Sequence, residues 1–222
     1  TVAYPQNLET KYFLKKIKTK KINHIGNLKF AENPEENFKI KNKKLKSELN
    51  KNKIWVASST HKNEEIFCAN AHKELKKKIK NLITIIIPRH VHRANEIAAE
   101  MKKIDLKVAY HSSKIKNLKN IDIYIVDTFG ETKLFHKISS TVFLGGSIIK
   151  RGGQNPLEAA RLGSKILHGP NTDNFKDVYK HLKLLNIANK VNTPLQLASL
   201  IVFKKNKNSG KKIKQIGKKI LK

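Results

Sequence analysis

The stretch 82–88, Leu-Ile-Thr-Ile-Ile-Ile-Pro, constrains the fold more than any other part of the sequence. It is far shorter than the roughly 20 apolar residues that cross a bilayer. Its β-branched residues and closing proline read as a strand buried on both faces. Helical patterns flank it. Over 64–80, Ile66, Phe67, Ala71, Leu75 and Ile79 recur at spacings of three to four, and over 93–104 the same holds for Ile97, Ala98, Met101 and Ile104. Both read as amphipathic helices with lysines on the wet side. Further strand-like runs fall at 54–58, 107–111, 121–127, 141–145 and 165–168. Strands alternating with helices, several of them apolar throughout, predict a doubly wound, Rossmann-like α/β domain with a parallel sheet covered on both faces.

Composition permits a real core, with 39% hydrophobic residues in 222. The balance of 47 Lys+Arg against 17 Asp+Glu gives a net charge of +30, which points to nucleic acid or an anionic membrane surface. That inference is discounted here, because Lys, Asn and Ile are over-used along the whole chain, as A/T-rich coding would produce. Arginine occurs only at Arg89, Arg93, Arg151 and Arg161. Because Arg makes the bidentate contacts with phosphate and carboxylate, these four positions are the informative ones. The single cysteine, Cys68, excludes an internal disulfide framework and reads as a helix-packing residue. The nine histidines lack HExxH spacing, so no metal site is expected, His90 and His92 being the weak candidate pair.

In such sheets ligands bind beyond the carboxyl ends of the strands. The sharpest constellation there is Gly145-Gly146-Ser147, then Arg151-Gly152-Gly153-Gln154-Asn155-Pro156-Leu157-Glu158. It reads as a strand end, a glycine-rich loop and a helix with Asn155 as N-cap and Pro156 in its first turn. Free amides and the dipole at such a helix N-terminus favour an anion, and Glu158 one turn in is placed to accept hydrogen bonds from a ribose diol. Pro88-Arg89-His90 and Asp127-Thr128-Phe129-Gly130-Glu131 follow two other strands. Ser58-Ser59-Thr60-His61 follows the first, its hydroxyls expected to cap the next helix.

These motifs, with Gly26-Asn27-Leu28-Lys29-Phe30, Glu64-Glu65, Arg93, Gly169-Pro170 and Asn174-Phe175, resemble in order those of the bacterial Kdo transferases. That family transfers 3-deoxy-manno-octulosonic acid from CMP-Kdo to a lipid A precursor. The resemblance runs from about Gly26 to Phe175. It implies the C-terminal, nucleotide-binding half of a GT-B glycosyltransferase. Carried over, Pro88 and Arg89 would meet the CMP moiety, Phe129, Gly130 and Glu131 would line the cytidine side, and Asn155, Pro156, Leu157 and Glu158 would hold phosphate and ribose. It also implies an inverting displacement without metal or other cofactor. The carboxylate base and the lipid-binding face would belong to a first domain, so no catalytic residue is assigned in this chain. The place of work would be the cytoplasmic face of the inner membrane, near its anionic lipid. Three positions depart from the family pattern: Gln154 stands for a usual His, Val91-His92 for Pro-Glu, and Asn63 for Gly.

The expected organisation is therefore 1–25 as the end of a first domain and linker, 26–205 as the nucleotide-sugar-binding domain, and 206–222 as a basic C-terminal helix. One more helix is expected over 195–204, and the basic helix beyond it could lie on a membrane, a partner domain or its own sheet. Two alternatives remain at this stage: a UDP-sugar transferase or epimerase of similar fold, and a non-enzymatic basic binder of nucleic acid or membrane. Few arginines and no basic–aromatic interleaving speak against specific nucleic-acid recognition.

Overall fold

A computed structural model describes residues 2–5, 8–24, 43–113 and 117–220. Seven strands form one sheet: β1 (Lys53–Thr60), β2 (Leu82–Pro88), β3 (Val108–Tyr110), β4 (Ile123–Ile125), β5 (Thr141–Leu144), β6 (Lys165–His168) and β7 (Ala188–Lys190). Their order is β3-β4-β2-β1-β5-β6-β7 and every pairing is parallel. From β1 the chain goes to β2 and then to the edge strand β3, comes back to insert β4 between β3 and β2, and crosses to β1's other side as β5. The topological switch point therefore lies between β1 and β5, where such sheets open a crevice for ligands.

The two-residue period of the strands feeds two cores. Ile54, Val56, Ile83 and Ile85 point to one face, Trp55, Ala57, Leu82 and Ile86 to the other, and all are buried. The second face is covered by α3 (Glu64–Lys76), α4 (Ala94–Lys103) and α8 (Pro194–Leu200), through Cys68, Ala71, Ile97, Met101 and Leu197. The first is covered by α2 (Lys43–Asn50), α5 (Thr132–Ile138), α6 (Leu157–Arg161), α7 (Lys176–Leu184) and α9 (Ser209–Ile220). Cys68 is buried as expected of a packing residue, and burial pushes its thiol up.

The expected helix over 64–80 stops at Lys76. The one expected over the segment after Thr193 stops at Leu200, because Thr141 Oγ1 both donates to the Val202 carbonyl (2.8 Å) and accepts the Val202 amide (2.9 Å), holding that chain out of helical geometry. Lys205 Nζ then reaches the carbonyls of His136 and Leu162, closing α5 and α6. The basic helix α9 seats Ile213 in the domain's own core, against α6. At the other end, α1 (Leu8–Lys16) buries none of its residues, and Ala3 bridges Ile22 in parallel. The motif at 26–30 lies outside the described residues, as does the expected boundary at residue 26. No helix among the described residues is long and apolar enough to cross a membrane.

Candidate functional site at the carboxyl edge

The carboxyl ends of β1, β2 and β5 are tied into one surface by backbone contacts. The register slips at Ser59, whose φ is +55°, so that Thr60 pairs with Pro88. The Arg89 amide then donates to the Thr60 carbonyl (2.9 Å), and the Gly145 amide to the Ser58 carbonyl (2.9 Å). Gly145 has to be glycine for packing: a Cβ there would stand 2.3 Å from the Ser59 carbonyl oxygen. Glycine at 169 answers the same need, its Cβ position lying 2.2 Å from the Ser147 carbonyl oxygen.

The amides after β5 are not free for an anion. The carboxylate of Glu64, fully buried at the start of α3, fills their place. Glu64 Oε2 accepts the amides of His61 (3.0 Å) and Gly146 (2.7 Å), and Oε1 those of Ser147 (3.0 Å) and Ile148 (2.9 Å). The amides of Gly146, Ser147 and Ile148 are therefore taken by the chain's own carboxylate, which leaves the later part of the loop, where the helix after Asn155 begins, as the place for the expected anion. The expected capping of α3 by the hydroxyls of 58–60 is also not what occurs. Ser58 Oγ instead meets His136 Nε2 (3.1 Å), and the α3 N-cap is Asn63, without a side-chain cap bond. Asn63 has φ +75°, a left-handed conformation that Asn tolerates nearly as Gly does, so this departure from the family pattern is conservative in backbone terms.

Cations gather above the switch point. Arg89 and Arg151 are exposed and have no acidic partner among the described residues. The His61 ring lies 6.1 Å from that of His90, and His90 stacks on His92 at 5.6 Å. Burial holds the His61 imidazole below its ordinary range, and Arg151, His90 and Arg89 push the same way against Glu64. Around Gly146 (φ +66°), the side chains of His61, Arg151 and Gln154 converge. No group of three His, Cys, Asp or Glu side chains suited to a metal occurs among the described residues. Arg93 is structural: its guanidinium pairs with the buried Glu65 carboxylate at 2.8 and 3.5 Å.

The remaining candidate residues divide by exposure. Phe129 is 82% exposed, with Gly130 (φ +83°) beside it and Glu131 leading into α5. An exposed aromatic ring at a strand's carboxyl end is a ready platform for a flat base. Asn155 Oδ1 accepts the Leu157 amide (3.1 Å), but the N-cap position of the five-residue helix is Pro156, one residue later than expected. Glu158 Oε1 lies 3.6 Å from His136 Nδ1. His136, Lys133 and Arg161 hold the Glu158 carboxyl below the usual range, His136 most, with burial opposing. A chain of contacts thus runs from Ser58 on β1 through His136 to Glu158 on α6. Pro88, Pro156 and Leu157 are buried, which leaves them shape and backbone but no side-chain surface for a ligand. Sequence reasoning placed Glu64, His61 and Arg151 in motifs without a role at the site. The available signal was an acid in the first helical turn after a strand that ends at the same edge.

No family model matches the chain. The 3-deoxy-D-manno-octulosonic acid transferase of Haemophilus influenzae is 32% identical over 163 residues, which cover 73% of this chain and 38% of that protein. The enzyme of the same name from Rickettsia bellii is 33% identical over 205 residues, covering 90% and 47%. The chain thus spans less than half the length of these curated relatives. Among solved structures, the C-terminal CMP-Kdo binding domain of WaaA from Acinetobacter baumannii matches with a TM-score of 0.63 at 25% identity, over 67% of this chain and 78% of that one.

Proposed function

We propose that this chain, which is related by sequence and by fold to the C-terminal half of the Kdo transferases, binds CMP-Kdo at the carboxyl edge of its sheet as the donor half of a glycosyltransferase. The observation that carries the reading is that Arg89 and Arg151, both exposed, each act on His61 at the carboxyl edge beside the β1/β5 switch point, with Phe129 exposed on the β4 side and Glu158 on the β5 side. Arg89 and Arg151 supply the positive charge that the occupied amides cannot. Phe129, Gly130 and Glu131 receive the cytosine, Glu158 accepts from the ribose, and Asn155, Pro156 and Leu157 fix the loop that carries it.

In the full reaction a carboxylate base from a first domain deprotonates an acceptor hydroxyl of a lipid A precursor, and CMP leaves in an inverting displacement that needs no metal or other cofactor. This chain's share is to bind the donor and stabilise the departing phosphate. It is proposed to work at the cytoplasmic face of the inner membrane, where its basic surface favours anionic lipid. Alone, it is expected to bind donor without turning it over.

Calorimetric titration with CMP and with UMP, at moderate salt, tests this. CMP binding that exceeds UMP and disappears in the Arg89→Ala/Glu158→Ala double variant is expected. Equal weak binding of both nucleotides that persists in the variant overturns the assignment.

A further inference from the structure

The opposite edge of the sheet carries a second feature, independent of the donor reading. A cavity of about 500 Å³ opens at the amino ends of β1, β2, β3 and β4, lined by the residues that lead into those strands and by the end of α3. Five of its lining residues are lysines: Lys51, Lys76, Lys80, Lys107 and Lys119. Among the described residues only two carboxylates face it, and both are engaged. Glu48 pairs with Lys51 at 2.5 Å. Asp122 pairs with Lys76, and its Oδ2 accepts the Lys107 amide at 2.9 Å. Lys80, Lys107 and Lys119 have no acidic partner among the described residues, and Lys76 is held below its ordinary range by burial and by the charge of Lys107.

A lysine-rich composition accounts for many lysines on the surface, but those are free to spread apart in water. Here Lys80, Lys107 and Lys119, though exposed, are anchored around one concavity, where their like charges repel. An anion in the middle relieves that repulsion, and a cluster of Lys amines makes point-charge contacts with phosphate oxygens. The volume lies within the range of small-molecule sites, roughly 300–1,000 Å³, and exceeds what a single phosphate fills. Apart from Leu82 and Ile121 the lining residues are polar or charged, their aliphatic stems forming much of the wall and their polar ends the rest.

We infer that this cavity binds the phosphate groups of a multiply charged anion, carried either by a soluble phosphorylated compound or by a lipid headgroup. The site sits at the end of the sheet away from the switch point, so occupancy leaves the proposed donor crevice free.

The test compares two variants of equal charge. Lys80→Gln/Lys107→Gln/Lys119→Gln removes the unpaired cavity lysines. Lys211→Gln/Lys212→Gln/Lys214→Gln removes three exposed lysines of α9. All six side chains are exposed, and thermal melts that overlay the parent confirm folding; the single variants Lys80→Gln and Lys119→Gln serve if the triple does not fold. The probes are inorganic pyrophosphate, followed by calorimetry near physiological salt, and phosphatidylcholine vesicles with and without phosphatidic acid, followed by co-sedimentation. The cavity variant is expected to weaken binding about tenfold, a change of about 1.4 kcal/mol, while the α9 variant stays near the parent. Loss confined to the vesicles assigns the phosphate to lipid; loss confined to pyrophosphate, or shared, assigns it to a soluble source or to either. Equal loss in both variants, or none in the cavity variant, overturns the inference. Because CMP titration is expected to be unchanged by the cavity variant, failure here and failure of the donor assignment are read separately.

Discussion

Glu64→Gln isolates what holds the switch-point loop in place. The substitution keeps the size of the side chain and removes one acceptor oxygen. In the native arrangement each carboxylate oxygen accepts two backbone amides, His61 and Gly146 on Oε2, Ser147 and Ile148 on Oε1. Rotating the glutamine amide by a half turn therefore rescues nothing: either way its NH2 group faces two N–H donors that have no other partner. Leaving a buried donor unsatisfied costs about 1–3 kcal/mol, so two of them predict a loss of about 2–6 kcal/mol. A domain typically has about 5–15 kcal/mol of stability in all, so the loss is a large share of it. Urea denaturation reads this as a lowered midpoint at unchanged slope. Glu64→Ala, which also leaves a void, is expected to fall further. CMP binding should weaken with both, because the amides that Glu64 holds fix the turn carrying Arg151 and Gln154. A Glu64→Gln protein within about 0.5 kcal/mol of the parent, the scatter of an ordinary surface change, refutes the assignment of these four bonds as the loop's anchor.

Three other outcomes follow from the same geometry. Gly145→Ala, with its Cβ directed at the Ser59 carbonyl, is expected to destabilise the fold by at least about 2 kcal/mol by overpacking, read as a fall in melting temperature. Phe129→Ala should leave that temperature unchanged, since the ring is 82% exposed, yet weaken CMP binding by about 1–3 kcal/mol through lost base stacking; full retention of CMP affinity rejects Phe129 as the base platform. His72 is buried, bonded through Nδ1 to Thr84 Oγ1 at 2.9 Å, and lowered from 6.5 to about 4, chiefly by burial and then by Lys76. Between those two values the unfolded chain binds more protons than the folded one. Its contribution to stability is therefore complete above pH 6.5 and is lost as pH falls toward 4, by about 3 kcal/mol at most. Urea midpoints measured across that range should fall less steeply in His72→Gln, and identical slopes count against His72 as the titrating group.

The fold was legible where burial dictated residue type. Ile83 to Ile87 sit inside the sheet with both faces covered, and a strand so placed has to be apolar throughout. The edge strand β7, Ala188-Asn189-Lys190, left no such mark, because only its alanine is buried and its pairing runs through backbone to β6. Helix ends were misjudged for a related reason. Nothing in the local pattern over 195–204 records that Thr141, some sixty residues earlier, bonds both backbone groups of Val202 and ends α8 four residues before the expected stop.

The glycines of the carboxyl edge were found by sequence, but the physical reason assigned to them was incomplete. A glycine pair after a strand reads as a loop opened for a ligand, whereas Gly145 is needed so that β1 can pass close by, and the amides beyond it belong to Glu64. A buried anion already in the cradle changes where a phosphate can be held. It leaves side chains as the counter-charge, and in a chain whose other basic residues are almost all lysine, two of the four arginines lie exposed on the loops flanking that cradle. The planar guanidinium fork reaches phosphate oxygens from a distance that a glycine loop cannot cover once its own amides are spent. That division of labour, Glu64 for the loop and Arg89 with Arg151 for the ligand, explains how one edge carries a permanently bound carboxylate and still presents a positive face to a nucleotide.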